Sequence, residues 1–213
     1  GSKIATARIN GFQGDSRADL AKVNTIAACA KHFAAYGFAE SGRDYNTVDI
    51  SNSKLYNTVL PPFKAATDAG VRTFMNSFNI LNGIPATGNS FLQRDILKGK
   101  WKFDGFVVSD WASVREMIPH GFAKDGAEAT AKAVIAGSDM DMESHLYVVE
   151  LVKLVDWVQG DGTERTMPMF ATPPLTPKAV LLMLPLIVAS ILFGFGVQMS
   201  GGPETMTAKA LAD

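Results

Sequence analysis

Three short apolar runs, each meeting polar side chains and each followed by a helix-like stretch, constrain this chain more than any other feature. Residues 25–33 are nearly all apolar up to Lys31 and His32. Residues 71–78 reach Asn76 and Ser77, and residues 105–110 are apolar and β-branched until Ser109 and Asp110. Runs of this length read as strands buried on both faces. Between them, residues 51–70 carry Leu55, Val59, Phe63 and Ala66 at helical spacing, with Ser51 as a cap and Gly70 as a stop. Pro61-Pro62 is expected to kink or end that helix. A turn over 81–85 precedes a short helix over 89–98, closed by Gly99. Asp125 caps an Ala-rich helix over 125–136 that Gly137 closes. A short fourth strand is expected over 138–142 and a helix over 146–154. Strands alternating with helices imply βαβ units and a parallel sheet.

Composition narrows the possibilities. The chain has 213 residues, enough for one domain but short of the roughly 250 of a closed eight-fold β/α barrel. Its 20 Lys+Arg against 21 Asp+Glu exclude a nucleic-acid binder held by bulk positive charge. With 47% hydrophobic and 19% charged residues, disorder throughout is excluded. The single Cys29 excludes an internal disulfide and a cysteine-built zinc site. The first residues lack the apolar core of a signal peptide and there is no start Met. The chain is therefore expected to begin after processing or inside a longer protein, and its compartment is not legible here.

In parallel α/β folds, chemistry gathers where strands end at their C-termini. Here those ends offer Lys31-His32, Asn76 with Ser77, and Ser109-Asp110-Trp111. Asp110 suits a nucleophile, a general base or a metal ligand, against the alternative of capping the segment after it. Trp111 offers a flat face for a sugar ring, or simply a buried one. Asp139, Asp141 and Glu143, at spacing two, would share one face of a strand, yet the segment lacks the glycine and loop length of a calcium site. Arg43 and Asp44 lie in a polar loop, where they either pair or brace the pocket.

After Val155 the composition changes. Residues 156–178 form an irregular Pro/Thr-rich linker, 179–199 an apolar segment, and 200–213 a polar tail. The uncharged run meets the length test for a transmembrane helix, roughly 18 residues. Its abrupt onset and lack of period favour a tail translated out of frame over a membrane anchor.

Lys31-His32-Phe33, the run from Gly42 to Ser51, and Gly105-Phe-Val-Val-Ser-Asp-Trp111 strongly resemble glycoside hydrolase family 3, and its periplasmic β-glucosidase branch in particular. Leu60-Pro-Pro-Phe-Lys64, Met75-Asn-Ser-Phe-Asn79, Asn82-Gly-Ile-Pro85 and the run from Ala136 to Glu143 fit in the same order. The resemblance covers residues 4–155. It implies an α/β fold, a partial (β/α)8 TIM-type barrel of about four βα units, followed by an atypical apolar C-terminal tail. Residues 1–155 would be the C-terminal half of the barrel domain.

By the same resemblance Asp110 is the catalytic nucleophile, and Lys31 and His32 bind sugar hydroxyls. Trp111 lines the site, with Arg43, Met75 and Ser77 nearby. Many relatives carry Tyr where this chain has Phe78, so a hydrogen bond from that position to the nucleophile is not carried over. The loop 34–42 has no His of the kind the N-acetylglucosaminidase branch uses as acid/base. The resemblance therefore implies a retaining β-glucosidase whose acid/base comes from a second domain, with none in this chain. It implies no metal and no cofactor, and a periplasmic or extracellular location. Expected partners are a β-glucoside or oligosaccharide, the other barrel half and the second domain. Nucleic acid is not expected, and a membrane only if 179–199 is a genuine helix. The chain alone is expected to be inactive or nearly so on unactivated β-glucosides. The alternative is a non-catalytic, membrane-anchored carbohydrate-binding or structural half-barrel.

Overall fold

Helix α1 (Ser2–Gln13) opens the fold, and its last residue joins distant parts of the chain. The structure, a computed structural model, describes residues 1–159, and of residues 152 and 155–159 the backbone only. The chain divides into two units, Gly1–Ser144 and His145–Asp213.

In the first unit, β1 (Cys29–Phe33), β2 (Thr73–Asn76) and β5 (Phe106–Val108) form a parallel sheet in the order β1-β2-β5. Between β2 and β5, β3 (Ile80–Leu81) and β4 (Ile84–Pro85) make a tight antiparallel hairpin. Asn82 and Gly83 turn it with φ of 48° and 86°, the left-handed geometry such two-residue turns require. Sequential parallel neighbours joined by helices are the βαβ pattern expected from the sequence.

The expected fourth strand is reduced to one parallel bridge, Val108 to Met140. The cause is a side chain. The carboxylate of Asp139, rather than a backbone carbonyl, accepts the Val107 N–H at 2.8 Å, so no regular ladder forms. The first strand also differs from expectation. It is shorter than 25–33, and Cys29 and Lys31 are exposed on it. Among the described residues β1 pairs only with β2, so its other edge is free.

The helix after β1 survives its prolines. It runs as α2 (Asn52–Lys54), a π-helical turn over Leu55–Val59, and α3 (Leu60–Asp68). Ser51 caps it, its hydroxyl accepting the Lys54 N–H at 3.2 Å. Proline has no N–H and disrupts a helix interior but is tolerated in a first turn. Here Pro61 and Pro62 occupy the opening of α3, and the Leu60 N–H reaches back five residues to the Leu55 carbonyl. The next helix is also π-helical, Phe91–Lys100, and Gly99 lies inside it rather than closing it. A Cβ at Gly99 would come within 2.6 Å of the Arg94 carbonyl oxygen, a close approach only glycine permits.

Phe33, Phe63, Phe74, Phe103 and Trp101 fill the space between sheet and helices. Ring centroids lie 5.1 Å apart for Phe33–Phe63, 5.3 Å for Phe33–Phe74 and 4.9 Å for Phe74–Phe103, all edge-on. Edge-on rings set the electropositive rim of one against the face of the next. After β5 come α4 (Ser113–Glu116) and α5 (Gly126–Ala136). Asp125 caps α5 by accepting the Glu128 N–H at 2.9 Å, and Gly137, with φ of 112°, ends it.

In the second unit the described residues form α6 (Leu146–Gln159), five residues longer than the expected 146–154. The remainder of the linker 156–178, the apolar segment 179–199 and the tail 200–213 lie outside the described residues. Among the described residues no helix is long and apolar enough to cross a membrane.

Gln13 staples the N-terminal side of the sheet. Its Oε1 accepts the N–H groups of Ala28 and Arg72, each at 3.0 Å, and its Nε2 donates to the Gly70 carbonyl at 2.9 Å. One buried amide thus satisfies the entries to β1 and β2 and the end of α3. Gln13→Ala should destabilise the chain by about 2–4 kcal/mol, because buried backbone groups lose their partners. Urea unfolding checks this; a midpoint equal to that of the unaltered chain would refute it.

Candidate active site

The site is built at the C-terminal ends of the parallel strands. Asp110 follows β5 directly and is 7% exposed. One carboxylate oxygen, Oδ1, accepts the Trp111 N–H at 2.8 Å. The other, Oδ2, is sealed from solvent and receives no hydrogen bond among the described residues. It lies 3.5 Å from His32 Nε2 at the end of β1. Asp110 is not the side-chain cap of α4: its backbone carbonyl, not its carboxylate, receives the Ser113 N–H at 3.1 Å. Half of the carboxylate is thus fixed by the backbone and half is left bare.

Ser109 fixes the strand exit. Its hydroxyl donates to the Asp110 carbonyl at 2.9 Å and accepts the Met142 N–H at 2.7 Å. Behind it, Lys98 Nζ donates to both oxygens of Asp139, at 2.6 and 2.5 Å, and to the Gly137 carbonyl at 2.8 Å. Burial pushes the Lys98 ammonium below its ordinary range, while Asp139 works the other way. Asp139 is therefore a brace between the second π-helix and β5. Asp141 accepts the Ser144 hydroxyl at 2.6 Å, and Glu143, with φ of 73°, stands 4.0 Å from Arg115. The three acidic residues at spacing two do not share a strand face.

The other expected residues are distributed as follows. His32 is half-buried, and burial holds its imidazole below the ordinary value. Asp110 opposes that shift, and Lys31 adds to it. Lys31 itself is exposed. The register between β1 and β2 shifts between Ala30 and Phe33, an irregularity that re-aims the side chains there. Met75 is half-buried on β2, in register with Val108. Ser77 is buried and turned to the protein, its hydroxyl donating to the Ala34 carbonyl at 3.1 Å and its N–H to Phe33 at 3.0 Å. It sews the exit of β2 to the exit of β1. Trp111 is 62% exposed, its ring open to solvent beside Asp110. Arg43 is exposed in its loop and forms no ion pair with Asp44 among the described residues.

Several participants carry no signal in spacing. Tyr36 meets His32 edge-on with centroids 5.2 Å apart. Burial first, then Asp44, push the Tyr36 phenol above its ordinary range. Phe78 contacts both Tyr36, at 6.0 Å, and Tyr45, at 4.3 Å. An aromatic wall therefore runs from His32 to Tyr45, its members coming from β1, the loop after it and the exit of β2. Among the described residues no group of three His, Cys, Asp or Glu side chains is placed to hold a metal ion.

Removing the charge of Asp110 isolates its effect on His32. Asp110→Asn should lower the His32 titration midpoint further, since the largest influence raising it is lost while burial remains. Proton NMR of the imidazole checks this; an unchanged or raised midpoint would contradict the contact.

Comparison with known proteins places the chain among the glycoside hydrolases. The model of the family described as glycosyl hydrolase family 3 N-terminal domain matches residues 1–169. A periplasmic beta-glucosidase of Salmonella typhimurium is 44% identical over 154 residues, 72% of this chain and 20% of that protein. A beta-xylosidase/alpha-L-arabinofuranosidase of Medicago sativa is 35% identical over 150 residues, 68% of this chain and 19% of that protein. The crystal structure of a beta-glucosidase from Listeria innocua superposes with a TM-score of 0.74 at 40% identity, covering 87% of this chain and 24% of that one. This chain thus spans about a fifth to a quarter of the length of these relatives.

Proposed function

The chain belongs to the glycosyl hydrolase family 3 N-terminal domain family, and from that premise we propose that it carries the nucleophile-bearing half of the barrel of a retaining β-glucosidase. The observation that carries this reading is Asp110 itself: a buried carboxylate at a strand exit, one oxygen held by the Trp111 amide and the other bare beside His32.

The chemistry follows from two carboxyl groups. A carboxylate lone pair of Asp110 attacks the anomeric carbon as the bond to the leaving oxygen breaks. A second carboxylic acid, ~5–5.5 Å away in retaining enzymes, gives that oxygen its proton. Water then attacks the glucosyl ester, the second carboxylate takes the water's proton, and Asp110 is released. His32, Lys31 and Arg43 supply donors for sugar hydroxyls, and Met75 and Trp111 supply apolar walls. Ser77 acts by bracing the two strand exits.

Two features favour a piece of a larger enzyme. The free edge of β1 adjoins an open groove of about 560 Å³, lined by apolar residues that include Ile9, Phe12, Ile26 and Phe63. An unpaired edge beside apolar surface is a place for further sheet and helix to pack. The acid/base carboxyl then comes from outside this chain. The Salmonella relative is named periplasmic, which supports a periplasmic or extracellular site for this protein as well.

An activated 2-deoxy-2-fluoro-β-glucoside with a good leaving group tests the reading, because it needs the nucleophile but little acid assistance. The expected result is a glucosyl mass increment on the peptide holding Asp110, absent in Asp110→Asn. A protein that binds glucose yet takes no label would instead support a non-catalytic sugar-binding module.

A further inference from the structure

The segment from Asp139 to Ser144 has no part in the two-carboxylate scheme, yet it runs beside the exit of β5 and past Asp110. Its hydrogen bonds can be followed in order. The Asp139 N–H donates to the Val107 carbonyl at 2.8 Å, and the Ser109 N–H to the Met140 carbonyl at 2.8 Å. The Met142 N–H then donates to the Ser109 hydroxyl at 2.7 Å, and the Met142 carbonyl accepts the Ala112 N–H at 2.9 Å. Arg115 closes the series on the Ser144 carbonyl at 2.5 Å. The backbone of one residue, Met142, thus grips the chain on both sides of Asp110.

The gripped stretch needs holding. Asp110 to Ser113 is a reverse turn, closed by the Ser113 N–H on the Asp110 carbonyl at 3.1 Å. Its third residue, Ala112, has φ of 55°, a left-handed conformation in which glycine is the usual occupant. The Met142 carbonyl fixes that residue. The same turn brings the Trp111 N–H to Asp110 Oδ1.

On the other side the grip passes through a side chain. Ser109 is fully buried, and its hydroxyl accepts from Met142 while giving its one proton to the Asp110 carbonyl at 2.9 Å. The Asp110 carbonyl therefore receives two donors, Ser109 and Ser113, and the peptide that follows Asp110 is held from both. Its carboxylate turns about a fixed stem, with Oδ2 at 3.5 Å from His32. A reacting group displaced by about 1 Å can cost about a hundredfold in rate.

We propose that the Met142 backbone and the Ser109 hydroxyl form a clamp that aims the Asp110 carboxylate, with Ser109 as its positioning residue. The clamp sets how fast Asp110 attacks a bound sugar and not how tightly the sugar binds. This rests on the reading of Asp110 as the nucleophile.

Ser109→Ala in the full chain removes both hydroxyl bonds at nearly constant shape. With the activated 2-deoxy-2-fluoro-β-glucoside, its labelling rate at saturation should fall about tenfold or more while the half-saturating concentration stays the same. Ser109→Cys, whose thiol is a weaker donor and acceptor, should fall between, and it carries the test if Ser109→Ala does not fold. Asp125→Ala, which loosens the chain by removing the cap of α5, should label like the unaltered chain. Proton NMR of His32 gives a second reading that needs no label: a displaced Asp110 should lower its titration midpoint part of the way towards Asp110→Asn. An unaltered labelling rate, a change in half-saturation alone, or an equal loss in Asp125→Ala would overturn the proposal. If the unaltered chain takes no label but the serine variants still shift His32, the nucleophile reading fails and the clamp stands. If neither label nor shift is seen, both fail.

Discussion

A carboxylate held out of water is costly unless the fold gives it donors, and the geometry of this protein is arranged around one that is only half supplied. Asp110 keeps its place because the Trp111 amide takes one oxygen and because its own carbonyl starts α4. That arrangement requires β5 to end at a fixed point. Ser109 ties the exit to Met142, and the Lys98–Asp139 pair ties the same region to the second π-helix. The ion pair at the back of the sheet therefore serves the bare oxygen at the front.

The opposite wall depends on the other strands. Gln13 sets where β1 and β2 begin, and Ser77 joins them where they end. With both ends fixed, His32 arrives 3.5 Å from Asp110, and Tyr36 closes on it from the side. The two π-helical stretches belong to the same economy of fit. One accommodates Pro61 and Pro62 without ending the helix, and the other brings the Gly99 backbone against the Arg94 carbonyl.

Much of this was legible in the sequence, for local reasons. The alternation of strands and helices, the Ser51 and Asp125 caps and the Gly137 stop follow from patterns that act within a few residues. The polar strand ends marked Asp110 and His32 in the same way. The rest depended on partners far along the chain. Pro61-Pro62 reads as a terminator unless the π turn before it is known. Residues 138–142 read as a strand because nothing local shows that the Asp139 carboxylate replaces a backbone acceptor. The run 25–33 reads as doubly buried, yet Cys29 and Lys31 are exposed and, among the described residues, one edge of β1 is free. Lys98 and Tyr36 acquire their meaning from Asp139 and His32, each brought near by the fold alone.

The central claim is that Asp110 is the atom-level acceptor of the sugar, and chemical rescue tests it most directly. Asp110→Gly removes the nucleophile and leaves space for a small anion. With an activated aryl β-glucoside and added azide, a vacated nucleophile site should yield α-glucosyl azide, since azide attacks from the face Asp110 occupied. Aryl release in that variant that neither needs azide nor forms an α-azide, at the rate of the unaltered chain, would contradict the account.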